Sequence, residues 1–320
     1  MPSPNSSFTD IVATTLQGYS GEIADNISNH NALYKQVVKK GNMSPATGRS
    51  IVQEIEYAEN ANVMWYTGAE PLRIDAGETL TAAEFSYKQL AGNVVITGLE
   101  EIQNSGREAV HNLLKARMRN LEKSLINTVS TAIYADGTGN SGKEFGGLQL
   151  LVADTNTNTV GGISGSTYAW WKNYVYDFST AAVTASSTTI QHAMNLAWIN
   201  TIRGSDKPDI IVSGQTYFLY YLESLQAQQR FTDTQGAGAG FTNVTFAYGG
   251  STPVIYDDQC ASTRMYMLNT DYIFMRPAKG RWMKPAPDKA SVNQDALVMP
   301  MYSAGNMTIS NRERQAVICA

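Results

Sequence analysis

The change of periodicity at Gly98 constrains this chain more than any other feature. Upstream lie about fifty residues of extended, half-polar pattern. Downstream, between Leu99 and Tyr134, there is no proline and Gly106 is the one glycine. Apolar residues recur at Leu99, Ile102, Val110, Leu114, Met118, Leu121, Leu125, Val129 and Ile133. Apart from a gap around Gly106 these steps are three and four, the signature of one buried helix face. A helix over 99–135 would run on the order of 50 Å. That exceeds the width of a compact domain of roughly 150 residues. Such a rod makes better sense in a subunit that reaches its neighbours than in a lone globule.

The extended region before it reads as a long β-hairpin over 51–97. Ile51, Ile55 and Tyr57 fall on one face and Glu54 and Glu56 on the other, and a matching run, Ala83 to Lys88, returns before Val94-Val95-Ile96. Between the runs sit Met64-Trp65-Tyr66 and breaks at Gly68, Pro71 and Gly77. A two-stranded ribbon alone is marginal in water, so its aromatic face needs a partner surface, in the same chain or in a neighbour.

Composition narrows the function classes. Charged residues make up 16% of the chain, against about 25% in an ordinary soluble protein. Uncharged polar groups are cheaper to desolvate than ions, which suits extensive protein–protein contact. A net charge of −4 gives no overall electrostatic footprint for nucleic acid. The local basic spots, Lys35/Lys39/Lys40 and Lys115/Arg117/Arg119, read as solvated helix faces. Cys260 and Cys319 form no disulfide framework and have no metal-ligand spacing, which points to a reducing compartment. The start, Met1-Pro-Ser-Pro-Asn-Ser-Ser, lacks the basic segment and apolar run of a signal peptide. No stretch of 18 apolar residues suggests a membrane span.

Gly137-Thr-Gly139-Asn-Ser-Gly142-Lys143-Glu144 has the GxGxxG spacing and stands one residue from a phosphate-binding loop. That loop needs Ser or Thr after its lysine, to ligate magnesium, where this chain has Glu144. It also needs a strand before it and a helix after it, whereas this stretch follows a long helix and leads toward glycines and a predicted strand. It reads as a helix-ending turn with Gly137 as the cap. His30, His111 and His192 lie far apart and match no metal spacing. Asp257-Asp258 reads as a solvated acid pair in a turn. No constellation supports catalysis, and no cofactor is expected.

The remainder reads as α+β. Residues 1–50 are polar, with Ile23, Ile27, Leu33, Tyr34, Val37 and Val38 placed for one or two short helices. Helices are expected over Thr189–Ile202 and from Ser213, as cap, through Leu225. Thr232–Asn243, with three glycines, reads as a flexible loop. Strands are expected at Asp209–Val212, Val244–Tyr248, Val254–Tyr256, Arg264–Leu268, Tyr272–Arg276, Ala296–Met301 and Met307–Ser310.

In the order of these parts, and in local strings across nearly the whole chain, the sequence resembles the major capsid proteins of tailed bacteriophages, with the Hong Kong 97-like fold. The strings include Asn31-Ala-Leu-Tyr-Lys-Gln36, Val95-Ile-Thr-Gly-Leu-Glu100, Gly146-Gly-Leu-Gln-Leu150, Gly161-Gly-Ile163 with Trp170-Trp-Lys-Asn173, Tyr220 through Gln229-Arg230-Phe231, Pro253-Val-Ile-Tyr-Asp-Asp258 and Gly305-Asn-Met-Thr-Ile-Ser-Asn-Arg312. The resemblance implies an N-terminal arm (1–50), an extended loop or E-loop (51–97), a peripheral domain (98–187) with a spine helix over 99–135, and an axial domain (188–320) whose strands return to the peripheral one. It implies pentamers and hexamers of this chain closing an icosahedral shell around double-stranded DNA, contacted non-specifically. A virion location, assembly in the host bacterial cytoplasm, a separate scaffolding protein, a portal and, as an open option, a decoration protein go with it. The expected inter-subunit contacts are Ile55, Tyr57, Trp65, Tyr66, Arg73, Phe85, Tyr87 and Lys88. Some relatives cross-link a hairpin lysine, but no motif around Lys88 marks it for that, and it reads as solvated. The alternatives are a nanocompartment shell of the same fold, another virion structural protein, and a nucleotide-dependent enzyme built on Gly137–Lys143.

Overall fold

The computed structural model describes residues 31–103, 107–229, 245–246, 252–287, 289–290 and 294–320. Gly106, His30 and the Ile23–Ile27 part of the helices expected before Gly41 lie outside these residues, as does the glycine loop at 232–243.

The described chain begins with α1 (Ala32–Lys39), capped by Asn31, whose side-chain oxygen accepts from Tyr34 N at 2.9 Å. Its apolar face, Leu33, Tyr34 and Val37, is buried. Just past it, Lys40 pairs with Asp209 at 2.9 Å and Asp271 at 2.6 Å. Strands β1 (Ile51–Glu56) and β2 (Leu80–Phe85) pair antiparallel, Ile51 opposite Phe85 and Glu56 opposite Leu80. The chain then departs from the single hairpin expected over 51–97. Strand β3 (Lys88–Thr97) leaves the ribbon and pairs along its whole length with residues 296–305. Alternation alone does not reveal which strand is the partner.

Helices α2 (Gly98–Gln103) and α3 (Arg107–Tyr134) occupy the expected helical stretch on either side of 104–106. At ~1.5 Å per residue α3 is about 42 Å long. Met118, Leu125, Val129 and Ile133 of its predicted stripe are buried, together with Ile126 and Ala132. Leu121 crosses β3 so closely at Gly92 that a Cβ there would stand 2.3 Å from Leu121 Cδ1.

Beyond α3 come β4 (Thr159–Val160), β5 (Ile163–Ser164) and β6 (Tyr174–Asp177), then α4 (Ile190–Thr201), β7 (Ile210–Ser213), α5 (Gln215–Gln229), β8 (Thr245–Phe246), β9 (Thr252–Tyr256), β10 (Met265–Leu268), β11 (Ile273–Pro277), β12 (Lys284–Pro285), β13 (Lys289–Ala290), β14 (Ala296–Ile309) and β15 (Ala316–Cys319). The strand expected soon after the Gly137–Gly147 turns is instead a helical turn, Leu148–Leu151. Ser213 does not cap α5: it ends β7, and its hydroxyl donates to Gly214 O at 3.0 Å.

Two sheets organise the molecule. In one, β14 is the central strand, with β3 on one edge and β11, β12 and β13 on the other. The two strands expected at 296–301 and 307–310 are therefore one. Ser303, Gly305 and Asn306, between those two stretches, lie within the ladder. Asn306 satisfies itself there, its Oδ1 accepting from Gly146 N at 3.0 Å and its Nδ2 donating to Ser86 O at 2.9 Å. The other sheet has the order β6-β15-β10-β7-β9-β8. Ile211, Met265, Met267, Ala316 and Ile318 face α4 and α5. Val212, Tyr266, Leu268 and Val317 face a second core shared with α3 and β14. Strands covered on both faces read as continuous apolar runs.

Arg312 closes the junction between β14 and β15. It is fully buried, and its guanidinium donates to Leu151 O (2.8 Å), Trp171 O (3.1 Å), Asn158 Oδ1 (2.7 Å) and Asn173 Oδ1 (3.0 Å). Neutral dipoles surround the charge, and burial lowers its pKa to about 10.

Candidate assembly surface

The ribbon of β1 and β2 continues past its last paired strand residues as an arm. Tyr57 N donates to Thr79 O at 3.1 Å. Further out, Asn62 clamps the two legs, its Nδ2 donating to Asp75 O at 2.7 Å and its Oδ1 accepting from Asp75 N at 2.9 Å. The clamp keeps the legs side by side near the tip without a strand ladder.

The expected contact residues divide into two groups. Ile55 and Phe85 are buried in the chain's own core, so they anchor the arm and offer nothing to a neighbour. Tyr87 packs on the same core. Tyr57 stacks on Trp170 with ring centroids 5.5 Å apart. Lys88 is half-buried, and its ammonium donates to Gly142 O. Trp65 (101% exposed), Tyr66 and Arg73 stand free of the body, with Asp75 3.5 Å from Arg73 Nε. Three further apolar residues, Val63 (84%), Leu72 and Ile74 (90%), share that exposure. Sequence reading missed them because scattered aliphatics between turn residues do not announce a face.

The arm is rigidly rooted. Glu84 N donates to Gly161 O at 2.9 Å. Gly161 itself has φ +59°, and a Cβ there would lie 2.6 Å from Ala83 Cβ. On the other side Arg276 donates to Gln53 Oε1 at 3.0 Å and to Ser44 Oγ, and stacks over Phe274 at 4.7 Å. The molecule thus holds the base in place and leaves the apolar tip uncovered among the described residues.

The glycine-rich turn is built unlike a phosphate cradle. Asn140 and Ser141 take left-handed backbone, φ 49° and 59°. Glu144 accepts from Asn140 Nδ2 at 2.6 Å, and its carboxylate fills the space over Gly139 that an anion would need. Among the acids, Asp257 is buried rather than solvated, accepting from Tyr134 Oη at 2.7 Å and from Gln259 N at 3.0 Å. Burial raises its pKa. Both cysteines are free and buried, and burial pushes each thiol up to about 12. Among the described residues no group of three or more His, Cys, Asp or Glu side chains is placed to hold a metal ion, and no helix is long and apolar enough to cross a membrane.

A rod-like helix, a central long strand and a projecting arm are together the Hong Kong 97-like capsid fold, and solved structures share it. The chain is similar to one in the cyanophage A-1(L) capsid asymmetric unit, with TM-score 0.66, 15% identity, and coverage of 87% of this chain and 90% of that one. It is similar to the capsid of a native GTA particle, with TM-score 0.53, 10% identity, and coverage of 88% and 89%. It is also similar to the SrpI encapsulin of Synechococcus elongatus PCC 7942, with TM-score 0.53, 9% identity, and coverage of 87% and 84%. No curated protein sequence matches it significantly. Residues 81–296 match the SU10 major capsid protein family, and the chain belongs to that family. It is a structural protein of the virion capsid shell.

Proposed function

We propose that this subunit forms pentamers and hexamers that close an icosahedral shell around double-stranded DNA, with the arm of each copy lying over its neighbour. Its role is structural rather than catalytic. The observation that carries the reading is the arm: rooted by Ile55, Phe85 and Gly161, and apolar at a tip that its own chain leaves bare. The division into arm, E-loop, peripheral domain with spine helix and axial domain belongs to the same reading. So do assembly in the host cytoplasm with a separate scaffolding protein and a portal, and the option of a decoration protein. A mildly acidic subunit suits a DNA container, because affinity for phosphates grows with each basic contact. Closed symmetry lets modest contacts sum over the shell.

The test replaces Trp65 and Tyr66 together with Ser. The subunit is expected to melt as the wild type does, within about 0.5 kcal/mol, while negative-stain microscopy shows shells lost. Normal shells from the variant would refute the arm's role. The similarity to the encapsulin supports a second reading, a protein-loaded compartment. Genome-length, nuclease-protected DNA in purified particles selects the virion, and an enzyme cargo without DNA selects the compartment.

A further inference from the structure

An opening lies at the root of the arm, between the outer edge of β2 and the hairpin of β4 and β5. Its volume is ≈ 500 Å³, within the range of small-molecule sites. Tyr57, Trp170 and Tyr168 form one wall, a series of rings with centroids 5.5 and 5.8 Å apart. Glu78 and Glu84 line it from β2 and the turn before it, and neither carboxylate has a partner among the described residues. No lysine or arginine lines the opening.

The backbone adds acceptors to the same edge. Tyr57 N donates to Thr79 O, and the register sets Glu56 opposite Leu80, so the odd-numbered residues of β2 bond β1. Leu80 and Ala82 therefore turn their carbonyls away from the ribbon, and Glu84 N, on the same edge, donates to Gly161 O at 2.9 Å. No main-chain donor among the described residues meets the Leu80 and Ala82 carbonyls. Charge is concentrated here as well. Residues 51–88 hold seven acidic and two basic side chains, a net of −5, against −4 for the whole chain.

We propose that this opening binds a small organic cation of the linear polyamine class. Its methylene chain and ammonium groups lie along the aromatic wall, and its N–H groups donate to the Glu78 and Glu84 carboxylates and to the free carbonyls of β2. A cation over the face of Trp or Tyr is attracted by the ring quadrupole, and carboxylates beside the rings add to that attraction. The spacing selects the class. Glu78 and Glu84 are six residues apart, on the order of 20 Å along extended chain. A metal ion meets at most one of them, whereas a chain with an ammonium at each end meets both. The first thirty residues of the chain are no candidate for the occupant, because they carry Asp10, Glu22 and Asp25 and neither lysine nor arginine.

The test titrates the nuclease-treated full chain with spermidine by calorimetry. Saturable binding at one spermidine per subunit is expected, with no binding of tetraethylene glycol, an uncharged chain of similar length. Glu78→Gln combined with Glu84→Gln should weaken spermidine binding about tenfold at unchanged melting, because both side chains are exposed and unpaired in the subunit. Tyr168→Ala, at a half-exposed ring, should weaken it about threefold through loss of the cation–π contact. Should Tyr168→Ala fail to fold, the glutamine pair decides. Magnesium chloride at the same charge concentration should leave spermidine bound. The proposal is overturned if spermidine does not saturate the wild type, if the glutamine pair binds it with full affinity, or if magnesium displaces it at equal charge, which would make the site a plain acidic surface.

Discussion

The arm and the six-stranded sheet are both rich in aliphatic and aromatic residues, and they dispose of them in opposite ways. In the sheet, Ile211, Val212, Met265, Leu268, Val317 and Ile318 are all 0% exposed, because α4 and α5 cover one face and the α3/β14 core covers the other. In the arm, Val63, Trp65, Leu72 and Ile74 face solvent. Burying one such side chain is worth about 1.5–3 kcal/mol. The sheet collects that within the subunit, while the arm leaves it uncollected within its own described chain. On the function proposed above, folding and assembly are thereby assigned to separate parts of one chain.

Substitutions can break or sharpen this contrast. The largest expected effect is in the body: Arg312→Ala strips four acceptors of their donor, three of them buried, and each orphaned buried group costs about 1–3 kcal/mol. A loss of 3 kcal/mol or more (an order-of-magnitude value) should appear in denaturant unfolding, with aggregation in place of shells. Next, proline at Leu114 in α3 should cost about 3 kcal/mol or more by removing a helix bond, again read by melting. Leu125→Ala, on the buried stripe of α3, should cost about 2–5 kcal/mol. The arm variants invert this order, with assembly lost at nearly unchanged melting.

The smallest effect is one of pH. The buried Asp257 has a raised pKa, so the folded state holds its proton more tightly than the unfolded chain does. Its contribution to stability is complete below the usual carboxylate value of 3.8 and is lost as pH climbs through the raised value. Asp257→Asn is therefore expected to compare best with the wild type at neutral pH and progressively worse as pH falls, measured by melting from pH 7 to pH 4.

Much of this was legible in the residues. Apolar steps of three and four made α3 plain, and alternation located β1 and β2, because both patterns are local consequences of backbone geometry. The order of parts carried the capsid resemblance. The burial of Asp257 was not legible, since an adjacent acid pair carries no sign that Tyr134, more than a hundred residues earlier, will donate to one member. Nor was Arg312, whose four acceptors come from three separate stretches of chain. Strand β15, Ala316–Cys319, was too short to declare itself.

Among the eight expected contact residues the division came from the tertiary structure alone. Ile55 and Tyr57 share a face by alternation, yet one is buried in the core and the other stacks on Trp170 at its margin. The sequence by itself determined the elements with strong local periodicity, the rod, the ribbon and the low charge of the surface. Only the fold decided where β3 and β14 meet, which polar groups are satisfied inside, and which apolar residues are left bare. Pairing and burial depend on residues far apart in the chain, and no local pattern encodes those distances.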